Sequence, residues 1–215
     1  MEGFSFTPIY EVILVKEGLH QFLPSGSVRA EGAITLVKGP HVLLIGTGSS
    51  QDKDFLMAGL MKHGVKAEDV EYVICTHAHP ETVGNLNLFP DATHVIGWDV
   101  VKGSSYAMHD FSQSIPFEID DHVQLLPTPG LSSSSLTVVV SETNLGVVAV
   151  AGAVFQCEED LEDSDLWQAV SADPESHQQS RISLLQEAQH VVPRYGPSFR
   201  VPDSYKSEMR VVMTP

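Results

Sequence analysis

Thr76-His77-Ala78-His79-Pro80-Glu81-Thr82-Val83-Gly84-Asn85-Leu86 follows the apolar run Val70-Glu71-Tyr72-Val73-Ile74-Cys75. The run reads as a buried strand. Glu81 to Leu88 then offers one or two helical turns, stopped by Pro90. Two imidazoles two residues apart at a strand end, with a carboxylate two further on, are the donor types of a metal-binding turn. The plainer alternative is a hydrogen-bonded turn in which the histidines ligate nothing.

Outward from this stretch the chain alternates strand and helix signals. Residues 9–17 and 28–38 are rich in β-branched residues and flank Pro24-Ser25-Gly26, so they are expected to form an antiparallel pair. His41 to Ile45 is a third strand. It runs into Gly46-Thr47-Gly48-Ser49-Ser50, with Ser50 as the expected N-cap of a helix that ends at Gly64. Thr93 to Ile96 is a short strand, and 98–115 reads as loop with short strand pieces. Phe117-Glu118-Ile119 and Val123 to Leu126 form a hairpin; Leu136 to Val140 and Val147 to Ala151 form another. Glu158 to Asp163 reads as an acidic surface loop. Asp173-Pro174-Glu175 opens a helix with Ile182, Leu185 and Ala188 as its apolar stripe, and Val191-Val192-Pro193 is the last expected strand. Two strand-rich halves, each followed by helix, predict two sheets packed face to face with helices outside.

Composition narrows the partners. The 215 residues carry 12 Lys+Arg against 28 Asp+Glu, a formal charge of −16, which opposes phosphate backbones and anionic lipid. Nucleic acid is therefore not an expected partner. No apolar run of the roughly 18 residues needed for a membrane span appears, and no signal peptide is read. Two cysteines, Cys75 and Cys157, are too few for a disulfide framework, which points to a reducing compartment: cytoplasm or nucleus. The expected organisation is one domain over 1–200 and a polar tail over 201–215.

The histidine turn, Gly46-Thr47-Gly48, Thr128-Pro129-Gly130 and Gly152-Ala153-Val154-Phe155 together resemble the metallo-β-lactamase superfamily. Gly84-Asn85-Leu86-Asn87-Leu88-Phe89-Pro90 and Asp165 to Pro174 add to the resemblance, which covers about residues 9 to 200. It implies an α/β (α+β) fold, a four-layer αββα sandwich of the metallo-β-lactamase type. It also implies where metal ligands should stand, and this chain departs from most of them. The family's His-x-His-x-Asp-His is here His77-Ala78-His79-Pro80-Glu81-Thr82, with a longer carboxylate and a threonine in place of the last histidine. Its Thr-Pro-Gly-His ends in Leu131, its bridging Gly-Asp reads Gly152-Ala153, and its last histidine corresponds to Tyr195 in Pro193-Arg194-Tyr195-Gly196-Pro197. The former ligand positions are thus Thr82, Leu131, Ala153 and Tyr195, and the residual metal set is His77, His79 and Glu81.

A catalytic zinc site takes three protein ligands and leaves one position for water. Two histidines and a misplaced carboxylate predict no resident cofactor, or at most weakly held zinc or another divalent metal. The expected function is accordingly that of a pseudoenzyme, a binding or scaffold protein for an unknown protein or small molecule, with no confident catalytic residue. The alternative is a metal-dependent hydrolase of an ester, thioester or RNA phosphodiester, working through His77, His79, Glu81 and His109. Cys75 beside His77 and the serines Ser132 to Ser135 are weighed as replacement nucleophiles, against the simpler readings of a buried thiol and a polar loop. Family analogy adds a homodimer as a candidate state.

Overall fold

The computed structural model describes residues 7–207. Strands β1 (Glu11–Lys16), β2 (Leu19–Phe22), β3 (Val28–Glu31), β4 (Ile34–Lys38) and β5 (Val42–Ile45) precede helix α1 (Lys53–Lys62). Then come β6 (Tyr72–Cys75), α2 (Pro80–Val83), β7 (Thr93–Ile96), β8 (Asp99–Lys102), β9 (Ser105–Ala107), β10 (Phe117–Glu118) and β11 (Val123–Pro127). The chain closes with β12 (Leu136–Thr143), β13 (Gly146–Val150), α3 (Asp165–Gln168), α4 (Pro174–Glu187), β14 (His190–Val192), β15 (Phe199–Arg200) and α5 (Ser204–Ser207).

One sheet runs β1-β4-β5-β6-β7-β8-β9, the other β10-β11-β12-β13-β14-β15. The parallel pairs β5–β6 and β6–β7 are joined across α1 and α2, and β13–β14 across α4, as parallel connections require. Three apolar clusters define the layers. Ile74, Val95, Leu125, Val138 and Val150 pack between the two sheets. Leu56 and Leu60 of α1 pack on Leu36, Leu44 and Val73 of the first sheet. Leu184, Leu185 and Ala188 cover Val139, Ala149 and Val191 of the second. Helix, sheet, sheet, helix: these are the four layers expected.

Several local expectations need correction. The expected pairing of 9–17 with 28–38 holds only for β1 against β4; residues 19–22 and 28–31 form a hairpin of their own. The break falls at Gly32, where a Cβ would collide with the Glu81 carbonyl oxygen. Asp52, not Ser50, stands at the N-cap position of α1, though its side chain does not bond to the helix N–H groups. Its carboxylate accepts from Ser49 N at 2.8 Å and from Lys16 Nζ at 2.6 Å, tying the helix start to β1. The stripe of α4 is less apolar than the sequence suggested. His177, Ser180 and Arg181 are buried on it, while Ile182 is only half-buried. The acidic stretch is not wholly solvated either, because Asp160 is 1% exposed. Val191 pairs with Phe199 in β15, a strand the sequence did not announce. Past Asp203, Tyr205 packs on the α4 cluster and its hydroxyl donates to Leu161 O at 3.0 Å. The remainder of the expected tail, 208–215, lies outside the described residues. Among the described residues no helix is long and apolar enough to cross a membrane.

Candidate functional site

β6 ends at Cys75, and residues 76–83 form a loop and the single turn α2, held from several sides. Pro80 stands at the first helical position, where its missing N–H costs nothing. The Thr82 hydroxyl shares its proton between His77 O and His79 O, both at 2.8 Å, so the threonine at a former ligand position now ties the loop to itself. Thr47 N donates to Thr82 O at 2.8 Å. Asn85 Nδ2 donates to Thr47 O at 2.8 Å and Ser49 O at 2.6 Å. The Gly46-Thr47-Gly48 loop is thereby spent on holding α2. At Gly84 a Cβ would run into the backbone of Ser49 and Ser50, so only glycine lets the two loops approach this closely.

This frame brings His77, His79 and Glu81 together, with one donor atom from each lying within 4.8 Å of the others. The two imidazole rings meet edge to face at 4.7 Å. His77 is 3% exposed; its Nδ1 faces Thr76 Oγ1 at 3.0 Å and its Nε2 has no partner among the described residues. Burial, with the Arg194 charge adding to it, holds the His77 pKa well below the ordinary 6.5, so this ring is neutral. His79 Nδ1 and Glu81 Oε1 are 3.6 Å apart, close to the roughly 3.4 Å separating two ligands of a tetrahedral zinc at bond lengths of roughly 2.0–2.2 Å.

Between these two atoms stands a cation of the protein's own. Arg194 Nη2 donates to His79 Nδ1 at 2.6 Å and to Glu81 Oε1 at 2.5 Å. The arginine is buried, and its backbone N donates to Phe155 O at 2.8 Å, which fixes where its side chain starts. Burial disfavours the Glu81 carboxylate, but the hydrogen bond and charge of Arg194 outweigh it and pull the Glu81 pKa below its ordinary value. What is left of open space beside the group is a cavity of about 20 Å³, bordered by Thr35, Thr76, His77, Thr82, Gly152 and Arg194 among others. That is room for one water molecule. Around it Thr35 Oγ1, His77 Nε2 and Arg194 Nε are all buried without a hydrogen-bond partner among the described residues.

Of the former ligand positions, only Thr82 borders this cavity. Leu131 and Ala153 are buried but do not line it, and Tyr195 turns elsewhere, its ring under the Arg194 guanidinium at 5.0 Å and beside His20 at 5.1 Å. His109, reckoned into the hydrolase set, is not part of the cluster. Its Nε2 donates to Ile115 O at 3.0 Å, and its ring packs on Phe111 and Phe117. Cys75 is wholly buried, and burial pushes its thiol up to about 12, which removes it as a nucleophile at neutral pH. Ser132 and Ser135 bond to one another in a local turn, Oγ to Oγ at 2.9 Å. Arg194 is the residue that sequence reasoning missed. Its one signal is position: a lone cation beside an expected ligand, in a chain poor in Lys and Arg.

The profile of the Metallo-beta-lactamase superfamily matches residues 31–193. The chain belongs to that superfamily. Among curated proteins of the superfamily, it is 36% identical over 194 residues to Metallo-beta-lactamase domain-containing protein 1 of Xenopus laevis, covering 89% of this chain and 82% of that one. With the human protein of the same name it shares 38% over 185 residues, covering 85% and 68%. Among solved structures, a metallo-beta-lactamase from Thermotoga maritima superposes with a TM-score of 0.65 at 16% identity, over 89% of this chain and 99% of that one. An N-acyl homoserine lactone hydrolase with its product at the catalytic metal centre superposes with a TM-score of 0.63, also at 16% identity, over 87% and 92%. At such identities the structural likeness speaks for the fold alone.

Proposed function

We propose that this chain keeps the metallo-β-lactamase fold as a binding or scaffold protein and has exchanged the metal centre for the Arg194 guanidinium. The observation that carries this reading is the placement of Nη2 between His79 Nδ1 and Glu81 Oε1. A metal needs the lone pairs of those two atoms, and both face an N–H donor. A divalent ion about 4 Å from the guanidinium would also meet a repulsion of roughly 8 kcal/mol at an effective dielectric of 20. That is comparable to the roughly 10–16 kcal/mol of binding that a complete structural zinc site supplies. The donor set does not fit a resident metal while Arg194 is in place, and no catalytic step is assigned through one. Metal analysis of protein purified without chelator tests this: well under one equivalent is expected, and a full equivalent of tightly held zinc, iron or manganese would overturn it.

A second reading, a metal-dependent hydrolase, draws on the closeness of the three donor atoms and on the unpartnered Nε2 of His77. There the three side chains would hold a divalent metal once Arg194 withdrew, and the metal would supply hydroxide toward an ester, thioester or RNA phosphodiester. Hydrolysis of a broad ester and phosphodiester panel that is lost both in His77→Ala and under chelator would favour it over the first reading. For either activity we place the protein in the cytoplasm or nucleus. Both cysteines are unpaired, and an acidic chain is kept apart from nucleic acid and anionic lipid.

A further inference from the structure

On the outer side of Tyr195 lies a groove of about 680 Å³, the size of an ordinary ligand site. One wall is the β2–β3 hairpin, which belongs to neither main sheet and is tied down through the Gly18–Gly196 bridge. The opposite wall is α3 and the turn after it. Leu19, Phe22, Leu166 and Val170 give the groove an exposed apolar lining; Phe22 is 77% exposed. His20 joins Phe22 and Tyr195 in an aromatic row, with ring centroids 5.2 and 5.1 Å apart.

The charges in the groove are of one sign. Glu17, Glu158, Glu159 and Asp165 line it, no Lys or Arg does, and among the described residues none of the four has an ion-pair partner. Arg194 stacks on Tyr195, but its guanidinium is committed to Glu81. Gln156, only 6% exposed, also borders the groove, and its side-chain Nε2 has no hydrogen-bond partner among the described residues. A buried amide donor without a partner is costly unless an acceptor meets it.

We propose that this groove binds a peptide segment of a partner protein that carries Lys or Arg side chains between apolar ones. The apolar side chains cover Leu19, Phe22, Leu166 and Val170. The cations face the four carboxylates and the aromatic row, which favours positive charge over its ring faces. The peptide backbone supplies the carbonyl that Gln156 lacks. A second copy of this chain is the wrong occupant, since it would bring four further carboxylates onto the same face. The inference rests on the binding-protein reading but not on the loss of metal. A protein found to hold zinc would overturn the exchange of metal for Arg194 alone, and one that ignores such peptides would overturn this proposal alone.

Fluorescence polarisation of the full chain with a labelled octapeptide alternating leucine and lysine tests it. Two matched peptides serve as controls: leucine–glutamate, and a lysine–glycine–serine peptide of equal positive charge. Saturable one-to-one binding of the leucine–lysine peptide, about tenfold or more tighter than either control, is expected. Phe22→Ser and Glu158→Gln/Glu159→Gln change exposed side chains that the fold does not need, and each is expected to weaken binding by about fivefold or more. Equal binding of the lysine–glycine–serine peptide would reduce the effect to net charge and overturn the proposal. Binding indifferent to Phe22→Ser, equal competition by a simple alkylamine, or self-association through this face in place of peptide binding would overturn it as well.

Discussion

Arg181 and Arg194 each meet a carboxylate away from solvent, yet the two ion pairs are finished differently. Arg181, on α4, donates through Nη2 to Asp160 Oδ1 at 2.9 Å and Asp160 O at 2.8 Å, and through Nη1 to Val154 O at 3.1 Å. The second Asp160 oxygen accepts from Gln156 N at 2.7 Å. Phe155 and Trp167 close on the guanidinium from 4.5 and 4.9 Å. Both Asp160 carboxylate oxygens and both terminal nitrogens of Arg181 have partners, and the pair fastens the 158–161 turn to the outer helix. Around Arg194 the bonds to His79 and Glu81 are as short, but Arg194 Nε, His77 Nε2 and Thr35 Oγ1 are left over around a water-sized cavity. A buried network that is complete needs nothing further; one with unpartnered polar atoms around a water-sized cavity has room for a water or another small occupant. On the proposed reading, the Arg194 site is the place where a metal centre was exchanged, while the Arg181 site secures the fold.

The comparison makes unequal demands on the two arginines. Arg181→Ala strips the cation from an Asp160 that is 1% exposed, and a loss of about 3–5 kcal/mol is expected from urea denaturation. Arg194→Ala strips it from Glu81 beside a His79 whose side chain is 45% exposed, so water can reach the carboxylate and about 1–3 kcal/mol is expected. If Arg194→Ala proved the more damaging, the ranking of the two sites would be reversed.

Acid should act on a buried histidine at each site. His177, beside Arg181, donates from Nε2 to Val154 O at 2.9 Å and is held below its ordinary pKa by burial first and by the Arg181 charge. His77 is depressed in the same direction. A histidine with a depressed folded-state pKa binds its proton more readily when unfolded. Its contribution is complete above about pH 6.5 and declines as pH falls from there toward the folded value. Glu81, also depressed, loses its contribution only lower, as pH falls from its ordinary value near 4.5 through the folded one. Stability followed by denaturant midpoints should therefore begin to fall near pH 6.5, well above the carboxylate range. His177→Gln, though less stable throughout, should show a shallower slope there. An unchanged slope would mean His177 is not held neutral.

How far the sequence foretold these two sites follows from what each depends on. β4 to β7 are short apolar runs between turn signals, and burial of such runs is written in their composition; the layers follow from them. The imidazole pair and Glu81 are adjacent in the chain, so their meeting was legible as well. Arg194 was not, because comparing residue types at aligned positions points to Tyr195 and says nothing of a neighbour whose long side chain reaches back over a strand end. Asp160 was hidden for a related reason. It sits in an acidic run that reads as solvated, and only the fold shows that α4 brings Arg181 onto it. The hairpin β2–β3 merged with its neighbours because Gly32-Ala33 gives too weak a break on paper; the close approach of Glu81 to Gly32 is what enforces it.

The central claim is that a guanidinium holds the place of a metal, and zinc titration by calorimetry of the wild-type chain against Arg194→Ala tests it most directly. With Arg194 removed, His77, His79 and Glu81 are free to ligate. The variant is expected to bind one zinc at least about a hundredfold more tightly than the wild type, the gain of roughly 3 kcal/mol that lifting part of the charge repulsion would give. Wild-type protein that takes up zinc as tightly as Arg194→Ala, or already carries an equivalent of it, would contradict the account.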